Sequence, residues 1–477
     1  MTCEPMTDLT QQLLTILGPR GCLTEAGDIA PFITEFRQRK TGSALAVALP
    51  ASAEETAAAV RAVTAAGVPV YPQGGNTGLC YGSVPARGVV VGMRRMRHVR
   101  RIDVESGLMT VDAGITLAEV HAAAEEVGMQ FPLHLGSEGT AQIGGLIATN
   151  AGGTGVLRYG AMRDLIAGVE MVLADGRILS DLDGLKKNNT GYNLTQLVAG
   201  SEGSLGLVTG AVLRLSPRMR ARAHAWIACE TAEHAIEVGT RVRLAFGNLV
   251  EALELLDRAQ ASYVMRHVPG TRMPLATLPE WSLLIELASP RADDDLTPQL
   301  ESVLAEAMED GLIPDAVIAQ SEGQAKDIWH FRHSVTEANK INGVGIVMDT
   351  CVRTSAIPAF LRDADAVVAA QFPQAERAIT AHMADGNVHF IVMFPHAAWA
   401  AVADKDAMEL EIETAIHDVA VAHGGTFSAE HGIGRKLVAE MDRLIDPVRL
   451  DLMQRIKAAF DPENLMNPGV LLPAAQG

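Results

Sequence analysis

The stretch that decides the fold is PQGGNTGLCYGSVP, residues 72–85. It follows a strand-like run at 68–71 and precedes further β-rich sequence, so its glycines lie between two predicted strands. A Rossmann fingerprint needs a helix directly after its glycines, which argues against that fold here. Because glycine has no Cβ, such a loop can bring backbone N–H groups close to a pyrophosphate. Taken alone, it could equally be a mobile surface loop.

Two further segments are rich in small residues. IGGLIATNAGG occupies residues 143–153, and NTGYNL and GSEGSLGLVT lie between residues 189 and 209. Three such segments in one half of the chain indicate a long cofactor that lies across a single domain. The glycine-rich loop is therefore interpreted as one part of a cofactor site.

The pattern around these segments predicts an α+β protein. A helix is predicted over 54–66, and Thr116 with Glu119 forms a capping box at the start of another. Strands are predicted at 108–112 and at 205–215, and strands at 169–173 and 177–180 flank an Asp-Gly hairpin turn. From about residue 218, helices near 232–246, 295–309 and 355–370 alternate with apolar runs at 282–287 and 316–318. This second pattern favours an antiparallel sheet covered by helices on one face, followed by a mainly helical end from residue 405.

Composition restricts the class of protein. A chain of 477 residues is expected to form two or three domains, and 48% hydrophobic with 20% charged residues is typical of a globular protein. The net charge of -18 argues against a nucleic-acid partner. The N-terminus, with Glu4 and Asp8, lacks a signal-peptide pattern, and no apolar run reaches the roughly 18 residues of a transmembrane segment. Five cysteines (Cys3, Cys22, Cys80, Cys229, Cys351) form no C-x-x-C, so a cytoplasmic protein is expected.

A second constellation indicates a metal. Residues 381–390 read AHMADGNVHF, and a two-residue turn at Asp385-Gly386 would place His382 directly opposite His389, with Cβ atoms about 5 Å apart. The patch SAEHGIG, residues 428–434, sets Glu430 beside His431. Two histidines and a carboxylate with an open position are typical of catalytic zinc. The alternatives are structural histidines and a metal-free Asp-Gly turn.

These segments, in order and spacing, resemble the flavoprotein family of vanillyl-alcohol oxidase and p-cresol methylhydroxylase, and within it the D-2-hydroxy acid dehydrogenases. The resemblance covers about residues 31–472. It implies a two-subdomain FAD-binding domain over 1–217, a substrate and metal domain with an antiparallel sheet over 218–404, and a helical segment over 405–477 that closes the active site. The residues it implies for FAD are Pro72, Gly74, Gly75, Asn76, Thr77, Gly78, Ser83, Gly145, Thr149, Asn150, Gly153, Val208 and Asn467.

The resemblance also implies how FAD is attached. Members that attach FAD covalently carry His in the first loop, where this chain has Asn76 and Thr77, so non-covalent FAD is expected. One departure from the family is His134, at a position where relatives often carry Asp.

By the same resemblance, His382, His389 and Glu430 are metal ligands, with zinc as first choice and manganese or a similar ion as the alternative. His431 is the base, since imidazole titrates near neutral pH. The metal would lower the pKa of the substrate hydroxyl, and flavin N5 would accept the hydride. Arg332 matches the family's substrate arginine, and Thr336 lies four residues later, on the same face of a predicted helix. Asn387 and Asn467 complete the implied pocket.

The substrate is less clearly indicated. Relatives that act on D-2-hydroxyglutarate carry Lys two residues before the position of Asp349, where this chain has Val347. This favours a monocarboxylate such as D-lactate, or a bulkier hydroxy acid, although Arg353 or Lys340 could serve a longer substrate. Two other functions stay open: a metal-dependent hydrolase, and a non-catalytic flavin subunit of a glycolate-oxidase-like complex. An external acceptor (electron-transfer flavoprotein, quinone or oxygen) and a possible homodimer are also expected.

Overall fold

The structure, a computed structural model, describes residues 4–474. Its α-helices, α1 to α18 in chain order, are Glu4–Leu17, Ala26–Ile33, Ala53–Ala65, Leu117–Glu126, Ile143–Thr149, Val156–Tyr159, Met162–Leu165, Leu194–Val198, Ala232–Phe246, Arg258–His267, Leu296–Glu309, Glu322–His333, Val335–Asn342, Ile357–Gln371, His396–Ala400, Lys405–Ala422, Val438–Leu444 and Pro447–Phe460. Short 3-10 helices occupy Gly247–Leu249 and Thr354–Ala356.

The β-strands, β1 to β18 in chain order, are Cys22–Leu23, Ala46–Ala48, Val70–Gln73, Val89–Gly92, Val99–Asp103, Leu108–Asp112, Met129–Gln130, Ile166–Val172, Ile178–Ser180, Leu207–Arg214, Ser216–Pro217, Ala221–Cys229, Val250–Asp257, Trp281–Ser289, Ala316–Ile318, Val344–Cys351, Glu376–His382 and Asn387–Phe394. Helices and sheets thus occur together in both halves of the chain. The predicted α+β class is confirmed.

The described chain forms two compact units. The first comprises the described residues up to Gly153, Tyr159–Arg218, and the described residues from Glu430 onward. The second comprises Thr154–Arg158 and Met219–Ala429. The segment predicted to be helical from residue 405 is divided, because α16 belongs to the second unit while α17 and α18 belong to the first. The predicted roles of the three chain segments stay predictions.

The first unit contains two main sheets. In the four-stranded sheet, ordered β1-β2-β4-β3, the strands β2, β4 and β3 are parallel. The five-stranded sheet, ordered β5-β6-β10-β8-β9, is antiparallel. The glycine-rich loop connects β3 to β4, so it leaves one strand of the parallel sheet and returns to its neighbour. The two sheets agree with the predicted two-subdomain organisation.

Local sequence signals explain several elements of this unit. Ser52 caps α3 by accepting a hydrogen bond from the N–H of Glu55 at 3.2 Å. Thr116 and Glu119 form the predicted capping box of α4. The predicted hairpin of β8 and β9 is confirmed, with Val172 opposite Ile178. By contrast, β3 begins at Val70 rather than residue 68, since Pro69 has no N–H to donate to a ladder.

The second unit is built on a seven-stranded antiparallel sheet, ordered β15-β12-β14-β13-β17-β18-β16. Helices α9, α11, α14 and α16 pack on one face of this sheet, whereas α10, α12 and α13 pack on the other. The prediction of helices on only one face is therefore wrong. All nine residues of β14, with the sequence WSLLIELAS, are buried, and a nearly continuous apolar strand of this kind is covered on both sides.

No helix within residues 4–474 is long and apolar enough to cross a membrane. Among residues 4–474, Cys22, Cys80, Cys229 and Cys351 take part in no disulfide bond. Cys3 lies outside the described residues.

Candidate active site

A groove that is partly open to solvent lies in the first unit. All three small-residue segments line it, together with the turn that contains His431. The residues predicted to bind FAD that line the groove are Pro72, Gly74, Gly75, Asn76, Thr77, Gly78, Ser83, Gly145, Thr149, Val208 and Asn467. The structure thus brings together residues that are up to several hundred positions apart in the chain.

Close backbone approaches shape the glycine-rich wall. A Cβ on Gly75 would lie 2.0 Å from the carbonyl oxygen of Thr140, and a Cβ on Gly74 would lie 3.3 Å from the Cα of Gly145. Asn76 has a φ of 55°. Its Nδ2 donates to the carbonyl of Thr34 at 2.8 Å, and its Oδ1 accepts from Ser83 Oγ at 2.7 Å. The side chains of Asn76 and Ser83 therefore hold the shape of the loop.

Two residues predicted to contact FAD are not among the described residues that line the groove. Asn150 ends α5 in a left-handed conformation, and its Oδ1 accepts from the N–H of Arg163 at 2.9 Å. Gly153 faces the carbonyl oxygen of His134, which would lie 2.4 Å from a Cβ there. Both residues shape the chain beside the groove, and their assignment to FAD stays a prediction.

The composition of the groove fits an elongated polar cofactor. The Oε1 atom of Gln142 is buried and has no hydrogen-bond partner among the described residues, so a ligand N–H or O–H would satisfy it. Among the described lining residues there is no lysine or arginine. A bound diphosphate would therefore depend on backbone N–H groups rather than on ion pairs.

A buried carboxylate holds the turn of His431. Glu202 accepts hydrogen bonds from the N–H groups of Ile433 and Gly434, both at 2.7 Å. Burial raises the pKa of Glu202. Gly434 has a φ of 55°, and a Cβ there would lie 1.8 Å from the carbonyl oxygen of Cys80. Because the turn is fixed against the loops of the groove, His431 has a defined place on the groove wall.

Asn467 connects the C-terminal turn to the same loops. Its Nδ2 donates to the carbonyl of Glu202 at 2.7 Å and to that of Gly82 at 3.1 Å. The residue is buried and has a φ of 45°. Asn467 lines the groove, and the cofactor role that the family resemblance implies for it stays a prediction.

In the second unit, the hairpin of β17 and β18 differs from the prediction. His382 pairs with Asn387, and His389 pairs with Thr380, so the predicted direct pairing of His382 with His389 is wrong. The turn contains four residues because Met383 leaves the ladder. Its N–H donates to the carbonyl of Leu253 at 2.9 Å, and its side chain is buried against α9. The two imidazoles still meet, diagonally, with ring centroids 5.6 Å apart.

Glu254 orients His382 and Arg332. Its Oε1 lies 2.6 Å from Nδ1 of His382, and its Oε2 accepts from Nε of Arg332 at 2.8 Å. Burial alone would raise the pKa of Glu254, but the charges of His382 and Arg332 outweigh burial and lower it to about 2. Because Nδ1 of His382 faces this carboxylate, Nε2 is the ring nitrogen that would bind a metal.

Arg332 and Thr336 lie on different helices. α12 ends at His333 and α13 begins at Val335, so the predicted placement of the two residues one turn apart on a single helix is wrong. Ser334 marks the break, and its hydroxyl donates back to the carbonyl of His330 at 2.7 Å. Arg332 is largely buried by its ion pair, whereas Thr336 is exposed.

Asn387 and His389 share Asp349 as a neighbour. Asn387 Nδ2 donates to Oδ1 of Asp349 at 2.8 Å, and Nδ1 of His389 lies 3.7 Å from the same oxygen. The Oδ1 atom of Asn387 is buried without a partner among residues 4–474, so it is available to accept from a ligand. Glu430 and His431 belong to the first unit, and their grouping with His382 and His389 stays a prediction.

Comparison with known proteins settles the family. A family described as FAD linked oxidases, C-terminal domain, matches residues 218–471, and one described as FAD binding domain matches residues 44–181. The chain belongs to the FAD-linked oxidases. The predicted cofactor FAD and the predicted class, an FAD-dependent oxidoreductase acting on CH–OH, are confirmed.

Curated relatives of this FAD-linked oxidase share most of its length. A D-2-hydroxyglutarate dehydrogenase of Xanthomonas citri pv. viticola is 34% identical over 94% of this chain and 93% of that protein. One of Stutzerimonas stutzeri is 31% identical over 98% of this chain and 100% of that protein. The mitochondrial D-2-hydroxyglutarate dehydrogenase of Arabidopsis thaliana is 31% identical over 96% of this chain and 80% of that protein. The predicted resemblance to the D-2-hydroxy acid dehydrogenases is confirmed.

Solved structures agree on the fold of the oxidase. Substrate-bound p-cresol methylhydroxylase superposes with a TM-score of 0.76 at 16% identity, covering 98% of this chain and 97% of that one. The 4-ethylphenol oxidase of Gulosibacter chungangensis gives a TM-score of 0.72 at 17% identity, covering 99% and 98%. The predicted vanillyl-alcohol oxidase type of fold is confirmed.

Sequence reasoning missed three residues of the oxidase's candidate site. Glu202 could have been found as the one carboxylate of a glycine- and serine-rich segment, and Glu254 as a charged residue in the apolar strand VEALELLD. Gln142 carried no signal, because its role depends on an atom that only the folded chain leaves unsatisfied.

Proposed function

We propose that this FAD-linked oxidase converts a D-2-hydroxy acid to the 2-oxo acid, with D-2-hydroxyglutarate as the first candidate substrate. The observation that carries the proposal is that His431 lines the same groove as the three glycine-rich segments, so a general base stands beside the cofactor site. The names of the relatives support the substrate.

FAD is held non-covalently in this proposal. The Asn76 side chain is engaged within the first loop, and Thr77 offers no imidazole for attachment. Backbone N–H groups of residues 74–78 would hold the diphosphate, and Gln142 Oε1 would accept a hydrogen bond from the cofactor. When bound, FAD supplies the hydride-accepting chemistry of the reaction.

His431 accepts the hydroxyl proton of the substrate. A base is effective only when its position is fixed, and Glu202 fixes the turn through two backbone hydrogen bonds. The imidazole is partly exposed, with 26% of its side chain accessible, so a substrate can reach it.

His382, His389 and Glu430 would hold a divalent metal, with zinc as first choice and manganese or a similar ion as the alternative. The donor set suits zinc, and Glu254 supplies the carboxylate that commonly orients a metal-bound histidine. Such an ion acts as a Lewis acid toward a hydroxyl oxygen. We assign the substrate carboxylate to Arg332, and Thr336 on the following helix stays a predicted substrate residue. Asn387 Oδ1 would accept a hydrogen bond from the substrate.

A shorter substrate is the second candidate. Val347 lies two residues before Asp349 on β16, hence on the same side of the strand, and 37% of its surface is exposed. An apolar side chain at this position cannot form an ion pair with a second carboxylate of the substrate. Its presence therefore favours a monocarboxylate such as D-lactate. Electrons leave to an electron-transfer flavoprotein, a quinone or oxygen, and the homodimer and the cytoplasmic location stay predictions from the sequence.

Turnover with an artificial electron acceptor tests the proposal. D-2-hydroxyglutarate, L-2-hydroxyglutarate, D-malate and D-lactate are compared at equal concentration. We expect activity with D-acids only, and loss of at least about a hundredfold in kcat for His431→Gln with FAD retained. Equal rates for the D- and L-acids, or full activity of His431→Gln, would contradict it.

A further inference from the structure

The first unit holds a second group of metal-ligating side chains. His121 lies on α4, and His134 and Glu138 lie on the segment that follows β7. Each offers one ligand atom, and these atoms all lie within 4.8 Å of one another. None of the three belongs to the proposed active site, so the cluster needs a separate explanation.

The hydrogen bond of His121 decides which of its nitrogens can bind an ion. Nε2 lies 2.9 Å from the carbonyl oxygen of Leu133, and a carbonyl can only accept, so Nε2 carries the proton. In a neutral imidazole, Nδ1 then presents a lone pair. That nitrogen lies 3.5 Å from Oε2 of Glu138, which places a lone pair against a carboxylate. A cation between the two atoms would turn this unfavourable contact into a favourable one.

The other two side chains converge on the same point. Nδ1 of His134 lies 3.0 Å from Oε1 of Glu138 and donates a hydrogen bond to it in the absence of an ion, so an ion bound by both atoms would displace that proton. The N–H of Leu135 donates to the same oxygen at 3.3 Å. The imidazoles of His121 and His134 have ring centroids 4.7 Å apart. His121 is mostly buried whereas 56% of the His134 side chain is exposed, so an ion could enter from solvent without crossing the protein.

We propose that His121, His134 and Glu138 bind one divalent ion of the first transition row, zinc in the first place. Two imidazoles and one carboxylate suit such ions, whereas calcium and magnesium prefer ligand sets made of oxygen atoms. The carbonyl of Leu133 orients His121 as an outer-shell partner. Water fills the remaining positions on the exposed side.

The proposed metal site lies beside one wall of the cofactor groove and stabilises it. Glu138 and Ala141 accept backbone hydrogen bonds from Ala118 and Leu117 at the start of α4, at 3.1 and 2.9 Å. Ala141 and Gln142 line the groove, and the carbonyl of Thr140 backs Gly75. An ion that joins α4 to this segment holds the wall in place, so its role is structural rather than catalytic.

The alternative is a second proton on His121, which would make the cluster an ordinary hydrogen-bonded triad. A measurement of metal binding distinguishes the metal site from the hydrogen-bonded triad. The test uses the full-length FAD-loaded protein that carries His382→Ala and His389→Ala, so that zinc at the proposed active site does not contribute. The result therefore does not depend on the proposed function.

Zinc is removed from this parent with a chelator and titrated back at pH 7.5 against a chromophoric zinc indicator. We expect one zinc per chain, and at least about tenfold weaker binding when either His134→Ala or Glu138→Gln is added. Glu138→Gln is the milder change, because the amide oxygen can still accept from Leu135. Cobalt should give a d–d absorption in the parent that both variants lose.

His98→Ala serves as the matched control, because Nδ1 of His98 lies 2.9 Å from a carboxylate oxygen of Asp112 without forming part of this cluster. It should leave the zinc affinity unchanged. A parent that takes up no zinc, or that binds it equally well after both His134→Ala and Glu138→Gln, would overturn the proposal.

Discussion

At the scale of single residues, the candidate site depends on buried carboxylates that position other groups. Glu202 receives two backbone N–H groups from the turn of His431, and Glu254 lies between His382 and Arg332. Neither carboxylate faces solvent. Each therefore contributes through the geometry that it imposes on a neighbour.

Replacing Glu202 should loosen the turn of His431. In Glu202→Gln, the side-chain amide can accept through only one atom, so one of the two backbone N–H groups loses its partner, at a cost of about 1–3 kcal/mol. We expect FAD affinity and kcat both to fall at least about tenfold in a protein that still folds. Flavin fluorescence gives the Kd and dye reduction gives kcat. The exposed Glu230→Gln is the control. An unchanged Kd for FAD and an unchanged kcat in Glu202→Gln would show that the turn does not need these hydrogen bonds.

Replacing Glu254 should lower both the stability of the protein and its affinity for zinc. Glu254→Gln leaves the buried Arg332 without its counter-charge, and breaking a buried pair costs about 3–5 kcal/mol. Loss of the partner of His382 should also weaken zinc binding about 10–100-fold. Thermal unfolding and metal content after dialysis measure the two effects. Normal stability with normal zinc content would argue against both roles.

At the scale of elements, the glycine-rich loop is fixed by its packing against residues 140–145. In Gly75→Ala, the new Cβ would lie 2.0 Å from a backbone oxygen, and no side chain can move to relieve that contact. We expect a folded protein that is purified with little FAD. Gly27→Ala is the matched control, because a Cβ there meets nothing within 4 Å. Full flavin content in Gly75→Ala would mean that the loop tolerates a different path.

The start of α10 gives a prediction about pH. Asp257 caps this helix by accepting from the N–H of Gln260 at 2.8 Å. Burial raises the pKa of Asp257 from 3.8 to about 6 in the folded protein. The folded state therefore binds the proton more tightly, and the stability that this proton provides is present below about pH 4 and is lost as pH rises through about 6.

Asp257→Asn removes that dependence while keeping a residue that can cap a helix. Between pH 4 and pH 7 the wild type should lose roughly 3 kcal/mol more stability than the variant, as an upper bound. Urea unfolding at several pH values measures the difference. Asp295→Asn, at the exposed start of α11, should show no such change, and parallel pH curves for Asp257→Asn and the wild type would contradict the assignment.

Some of these elements could be predicted from the sequence, and others could not. Capping residues and the Asp-Gly turn act on their own neighbours, so α4 and the β8–β9 hairpin could be predicted closely. The register of the hairpin of His382 and His389 could not be predicted, because Met383 packs into a core that includes α9 and no local pattern reveals that contact. Glu202 was missed for the same reason, since its partners lie more than two hundred residues later.

At the scale of the whole molecule, both compact units carry part of the candidate chemistry. The first holds the groove with His431, and the second holds His382, His389, Arg332 and Asn387. The family resemblance extends over both, with relatives matched along more than nine tenths of this chain. We therefore expect the intact chain, rather than either part, to reduce its own flavin with a D-2-hydroxy acid.

An anaerobic absorbance titration of the FAD-loaded protein tests that claim most directly. D-2-hydroxyglutarate should bleach the oxidised flavin bands, its L-enantiomer should not, and bleaching should be lost after chelation and return with zinc. Bleaching by D-lactate alone would select the monocarboxylate candidate within the same reaction. Flavin that stays oxidised with every D-acid, in protein shown to contain zinc, would contradict the proposed function.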